Sequence, residues 1–291
     1  MTPETGLIVL ILITLFAAIV NGALGYGFSS LTVPVALLFY TSRVLSPALV
    51  LVEVVLNIYV LFVNRRSFFQ IWRRVVPIVI GLVPGIIVGS YALSQINPGV
   101  MKVITYAVLL PLILLQASGL RRPVRAESVI AAPVGLGVGL LYSVTTISGP
   151  PLALLLNNQG LKKEDFRAAL GLVRVFESSL TAIAYYTLGL FTVSTIQLLP
   201  AIFPSVVIGL PIGVLVIRRM NHETFRRICM SFDAWVVGFG LSQALIALKL
   251  LTSPNAYGVL ALAAAIDLIL LYRFFSARRA SPAMASVRQT A

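Results

Sequence analysis

The chain has one cysteine, one histidine and nine acidic side chains among 291 residues. The lone Cys229 excludes an internal disulfide and any cysteine-based zinc cage. The lone His222, in a basic stretch, reads as a solvated loop residue, and nothing resembles a nucleophile-plus-base spacing. An intramembrane enzyme is therefore disfavoured, and no metal or cofactor is expected. Charged residues are also scarce, at 11% against 59% hydrophobic, with a mean hydropathy of +1.00. Too few charges remain to coat a soluble globule of this length, so the chain must face lipid. The formal charge of +13 could point to nucleic acid, but the basic residues sit in short clusters between apolar runs. That is how the loops of a membrane protein look, and no nucleic-acid partner is expected.

A helix needs roughly 20 apolar residues to cross about 30 Å of hydrocarbon. Full-length runs lie at 44–63, 76–93, 100–117, 168–190, 198–217, 229–248 and 256–272. Two further segments, 6–40 and 128–157, are interrupted by glycine-rich stretches and read as broken hairpins. The start, Met1-Thr2-Pro3-Glu4, lacks the positive region of a cleavable signal, so the first run is expected to be permanent. Lysines and arginines cluster at 65–74, 121–125, 162–167, 218–227 and 273–279, while the other loops hold little beyond Arg43 and Lys249. Retention of basic loops in the cytoplasm sets all five clusters inside, including the C-terminus. The first hairpin then starts and finishes outside, and the second inside.

Opposite orientation is the mark of an inverted repeat, and the two breaks match. Residues 21–30 read Asn-Gly-Ala-Leu-Gly-Tyr-Gly-Phe-Ser-Ser and residues 139–150 read Gly-Leu-Leu-Tyr-Ser-Val-Thr-Thr-Ile-Ser-Gly-Pro. A shift of 117 positions sets Gly22 on Gly139, Ser29 on Thr146 and Pro34 on Pro151. Further on, Arg43 and Glu53 have the same spacing as Arg167 and Glu177, and Ile80-Gly81-Leu82 matches Ile208-Gly209-Leu210. The expected architecture is all-α and polytopic, with a first repeat over 1–120, a second over 121–250, an extra helix over 251–275 and a disordered tail over 276–291. Each repeat would hold a broken hairpin and three transmembrane helices.

Two kinds of chemistry emerge. A charge at the centre of a spanning helix costs about 2.5–3.5 kcal/mol on insertion scales, so such charges are functional candidates. Glu53, Arg174 and Glu177 qualify, on polar stripes with Ser46 and Asn57 and with Ser178 and Thr181. Arg174 and Glu177, three residues apart, could alternatively neutralise one another within one helix. A carboxyl group in such surroundings can hold a proton, which makes Glu53 and Glu177 candidates for coupling to a proton gradient. Asp233 reads as solvated near a helix end, and Asp267 as a packing or assembly contact. The second kind lies at the breaks. A helix that starts in mid-membrane presents unpaired backbone N–H groups and partial positive charge, which favour an anion. Gly25, Tyr26, Gly27, Ser29 and Ser30 in the first break, and Thr145, Thr146, Ser148 and Gly149 in the second, would surround it. Arg174 would be the counter-charge. Close helix packing by small residues is the plainer reading of the same glycines.

The residues at 21–30 with Pro34, the echo ending Ser148-Gly149-Pro150-Pro151 and the paired Ile-Gly-Leu segments, taken as hairpins, resemble the sulfite exporter TauE/SafE transporters, also called the toluene-sulfonate uptake permease family. The resemblance covers about residues 6–250. It implies an integral protein of the bacterial inner membrane that moves small sulfur-containing anions such as sulfite or sulfoacetate. The residues themselves reach only a small-anion transporter, with a passive anion channel or a carboxylate carrier as alternatives. Lipid and a small anion are the expected partners, and a homodimer is compatible with the chain.

Overall fold

The computed structural model describes residues 3–24, 26–63, 68–118, 127–149, 151–152, 156, 163–217 and 222–287. Its helices are α1 (Pro3–Leu24), α2 (Phe28–Ala36), α3 (Ser42–Val63), α4 (Phe68–Gln95), α5 (Pro98–Ala117) and α6 (Glu127–Thr145). They continue as α7 (Lys163–Thr187), the single turn α8 (Val193–Ile196), α9 (Leu199–Ile217), α10 (His222–Ala247) and α11 (Gly258–Val287). No strand occurs among the described residues, and eight helical segments there are long and apolar enough to cross a membrane. Large apolar side chains such as Phe62, Ile80, Tyr186 and Leu262 point outward. That outer face would be a liability in water and is matched to hydrocarbon. The chain is thus an all-α, multi-pass integral membrane protein.

Local signals explain several helix boundaries. Asn97 accepts a hydrogen bond from Gly99 N at 2.8 Å with Pro98 in the first turn, so α5 starts with a side-chain cap and a residue that has no N–H to satisfy. Thr192 caps α8 in the same way. Arg43, one of the few basic residues outside the basic clusters, donates to Leu93 O and Ile96 O at 3.1 and 3.0 Å. It neutralises the carbonyl end of α4, which gives it a structural duty.

The helices pack reciprocally. The long arm of the first hairpin, α1, lies along α9 in the second half, and α6, the long arm of the second hairpin, lies along α4 in the first. Glycine makes both seams close. A Cβ on Gly81 or Gly85 would collide with the α6 backbone at Ala132 or Leu136, and one on Gly213 with α1 at Ile19. The Ile-Gly-Leu segments, expected as hairpins, are continuous helix inside α4 and α9. Their glycines are docking grooves for the opposite hairpin, because without side-chain volume two backbones can approach.

The additional helix α11 is tied to α10 by a buried charge. Asp267 accepts from Arg227 Nη2 at 2.8 Å, Ser231 Oγ at 3.2 Å and Trp235 Nε1 at 3.1 Å. Asp267 is thus a packing contact within the chain. The helix runs on through 276–287, where the composition suggested an irregular tail, and the alanines and arginines there are good helix formers.

Candidate functional site

Both hairpins turn beside left-handed backbone. Gly27, with φ 108°, precedes α2 and offers no side-chain cap. Thr146, with φ 57°, follows the last turn of α6. That conformation suits Gly27, whereas a β-branched residue pays for it by about 1–2 kcal/mol. Thr146 is held there by its N–H donating to Tyr142 O at 2.6 Å and by its hydroxyl on Thr145 O at 2.7 Å. Helix resumes at Gly149, where Leu152 N donates to Ser148 O.

The two tips meet. Gly27, Ser29 and Ser30 from one and Thr146, Ile147, Ser148 and Gly149 from the other enclose a cavity with Arg174 of α7. Its volume is about 10 Å³, room for roughly one water molecule. Of the other residues expected here, Tyr26 packs on Gly149 and lines a neighbouring cavity. Thr145 is turned to the backbone, donating to Leu141 O and accepting from Ile147 N. Gly25 lies outside the described residues.

Glu53, fully buried at mid-length of α3, is saturated. Ser29 Oγ and Arg174 Nη2 donate to its Oε1 at 2.7 and 2.9 Å, and the Tyr142 hydroxyl donates to its Oε2 at 2.6 Å. The pairing of Arg174 with Glu177 along one helix is therefore replaced by a cross-pairing between the halves. Asn57 reinforces it by donating to Arg174 O and Ser178 Oγ, both at 3.3 Å. Glu177 is equally buried but, among the described residues, accepts only from Ser148 Oγ, and its Oε1 has no partner there. Thr181, one turn on, is also buried without a partner.

Serine and threonine at the breaks were expected to donate to a ligand. Their hydroxyl hydrogens are instead committed: Ser29 to Glu53, Ser30 to Gly27 O, Thr146 to Thr145 O and Ser148 to Glu177. What remains for a ligand is the guanidinium, whose Nε is buried and unpaired, and the first N–H groups of α2. None of the described residues that line the cavity is a carboxylate.

A second cavity, of about 20 Å³, shares Gly27 and Ser30 with the first and carries Gln116, Arg226, Cys229 and Asp233 toward the basic end of the molecule. Asp233, expected to be solvated, is buried with Oδ1 unpartnered, because the ends of α1, α2 and α5 close over α10 there. The side chain of His222 lies outside the described residues. Tyr142 went unnoticed in the sequence. It stands where the 117-residue shift puts Gly25, so the repeat gave no reason to compare them.

No curated protein and no solved structure matched the chain. A family model described as "Sulfite exporter TauE/SafE" matched residues 10–241, which takes in most of the first hairpin, the second hairpin, Glu53, Arg174 and Glu177 and stops short of α11. With most of its length under that match, the chain belongs to the sulfite exporter TauE/SafE family of membrane transporters.

Proposed function

We propose that the protein is a secondary transporter, working as an exporter, of small sulfur-containing anions such as sulfite, sulfoacetate or other organosulfonates. It would reside in the bacterial inner membrane with its C-terminus in the cytoplasm, since that orientation puts all five basic clusters on one side. The two halves would be inverted repeats, consistent with their reciprocal packing. The observation that carries the reading is the cavity between the hairpin tips, walled by helix-start backbone and an arginine with an unpaired Nε, with no acidic wall. The guanidinium and the helix-start N–H groups of this wall suit an anion. A guanidinium has five N–H donors, so Arg174 can hold Glu53 with one and reach an anion with others.

Size favours a carrier over an open channel. A sulfonate does not fit the space of one water, so the tips must part to admit it. The second cavity, on the basic side of Gly27 and Ser30, supplies the cytoplasmic approach, and residues 26–30 would separate vestibule from site. Counterflow in proteoliposomes tests this reading. Vesicles loaded with sulfite or sulfoacetate should accumulate labelled substrate transiently, and acetate should compete poorly. Linear leakage without counterflow would indicate a channel, and stronger counterflow with acetate would indicate a carboxylate carrier.

A further inference from the structure

Resting on the anion-carrier reading above, we propose that Glu177 is the proton site linked to the anion and that Ser148 reports its protonation to the cavity. Ser148 belongs to both places. Its side chain lines the space between the tips, and its hydroxyl hydrogen is given to Glu177 Oε2. While Glu177 is a carboxylate, it accepts only, and Ser148 can turn only lone pairs toward an anion. Once Glu177 takes up one proton, its O–H donates to Ser148 Oγ. The serine hydrogen is then released to donate to the anion. One proton on Glu177 therefore converts a wall that repels an anion into one that binds it, with no other bond made or broken.

Glu53 cannot serve in the same way. Three donors, one of them a guanidinium, already occupy both of its oxygens, and it is the ion-pair partner of Arg174. Proton and anion then arrive together, and the proton offsets one negative charge brought into a buried site. Among the described residues, the groups facing Glu177 leave no rival beside it. From α3 come Glu53 and Asn57, from α6 Tyr142, and from its own helix Arg174, Ser178 and Thr181. On α4, the side chains placed beside α7 include Trp72, Ile86 and Ser90, which carry no charge, while the titratable Tyr91 and the charged Arg73 and Arg74 are exposed.

The sign follows. Protonation promotes binding, so affinity is full where Glu177 is protonated and falls as pH rises through its titration, by up to tenfold per pH unit for one linked proton. The test is titration of the purified full chain with sulfoacetate, whose charge is constant above pH 6, across two pH units. Wild type should lose more than tenfold and up to about a hundredfold in affinity. Glu177→Gln, whose amide N–H donates to Ser148 as the protonated acid would, should bind at every pH as wild type does at the acidic end. Ser148→Ala should bind weakly throughout, with less than a threefold change. Undiminished pH dependence in Glu177→Gln overturns the assignment of the proton. If that variant does not fold, undiminished dependence in Ser148→Ala overturns the relay. No sulfoacetate, sulfite or acetate binding at any pH would instead remove the anion-carrier reading on which this rests.

Discussion

Glu53 and Glu177 stand at matching places in the two halves, both fully buried, yet they are held in opposite ways. Glu53 receives Ser29, Tyr142 and Arg174. Among the described residues, Glu177 receives Ser148 alone and keeps an oxygen without a partner. The difference arises from two substitutions in the repeat. Tyr142 occupies the position of Gly25, and Arg174 the position where the first half has Val50. Both added donors reach across to the same glutamate. One glutamate is thereby held in an ion pair by three donors and the other by a single serine, and this is the asymmetry that the proposed proton coupling uses. An orphaned polar atom inside a protein costs about 1–3 kcal/mol, so the unpaired Glu177 oxygen is hard to explain as packing alone.

Breaking the fixed side should have the largest effect. Glu53→Ala leaves the Arg174 guanidinium buried without its counter-ion, and loss of about 3–5 kcal/mol is expected, seen as poor recovery and a lowered Tm in detergent. Tyr142→Phe removes one of three donors and should cost about 1–2 kcal/mol by the same measurement. Glu177→Gln should change stability by less than about 1 kcal/mol, since an amide can still meet Ser148 and adds a donor where an acceptor stood alone. A Glu177→Gln variant as unstable as Glu53→Ala would erase the distinction between the two acids. The smallest effect is expected at Thr146→Gly. Relief of the left-handed strain and the added freedom of glycine nearly cancel, so Tm should move by only a few degrees while the cavity loses a hydroxyl.

The helices were legible because lipid enforces a simple rule, and apolar runs bounded by arginine clusters leave few alternatives. The breaks were legible too, since Asn21 to Ser30 and Gly139 to Pro150 interrupt runs that nothing else explains. The Ile-Gly-Leu segments misled, because a glycine that bends a chain and one that admits a neighbouring backbone are spelled alike, and only the opposite helix distinguishes them. The pairing of Arg174 with Glu53 was hidden for a related reason. Glu177 is the near neighbour in sequence, and Glu53 becomes the near neighbour only after α3 has docked on α7. Hydroxyl direction was equally out of reach: Ser29 and Ser148 line the cavity, but their hydrogens point to the glutamates behind it.

The central claim is that the two hairpin tips and Arg174 form one anion site. Replacing the ion pair as a unit, with Glu53→Gln and Arg174→Met together, removes the guanidinium without stranding a charge, so the chain should fold near wild-type stability. Calorimetric titration of this double variant with sulfite and sulfoacetate is the most direct measurement. The account predicts one saturable site per chain in wild type and loss of binding by at least tenfold in the folded double variant. Wild-type affinity in that variant would contradict it.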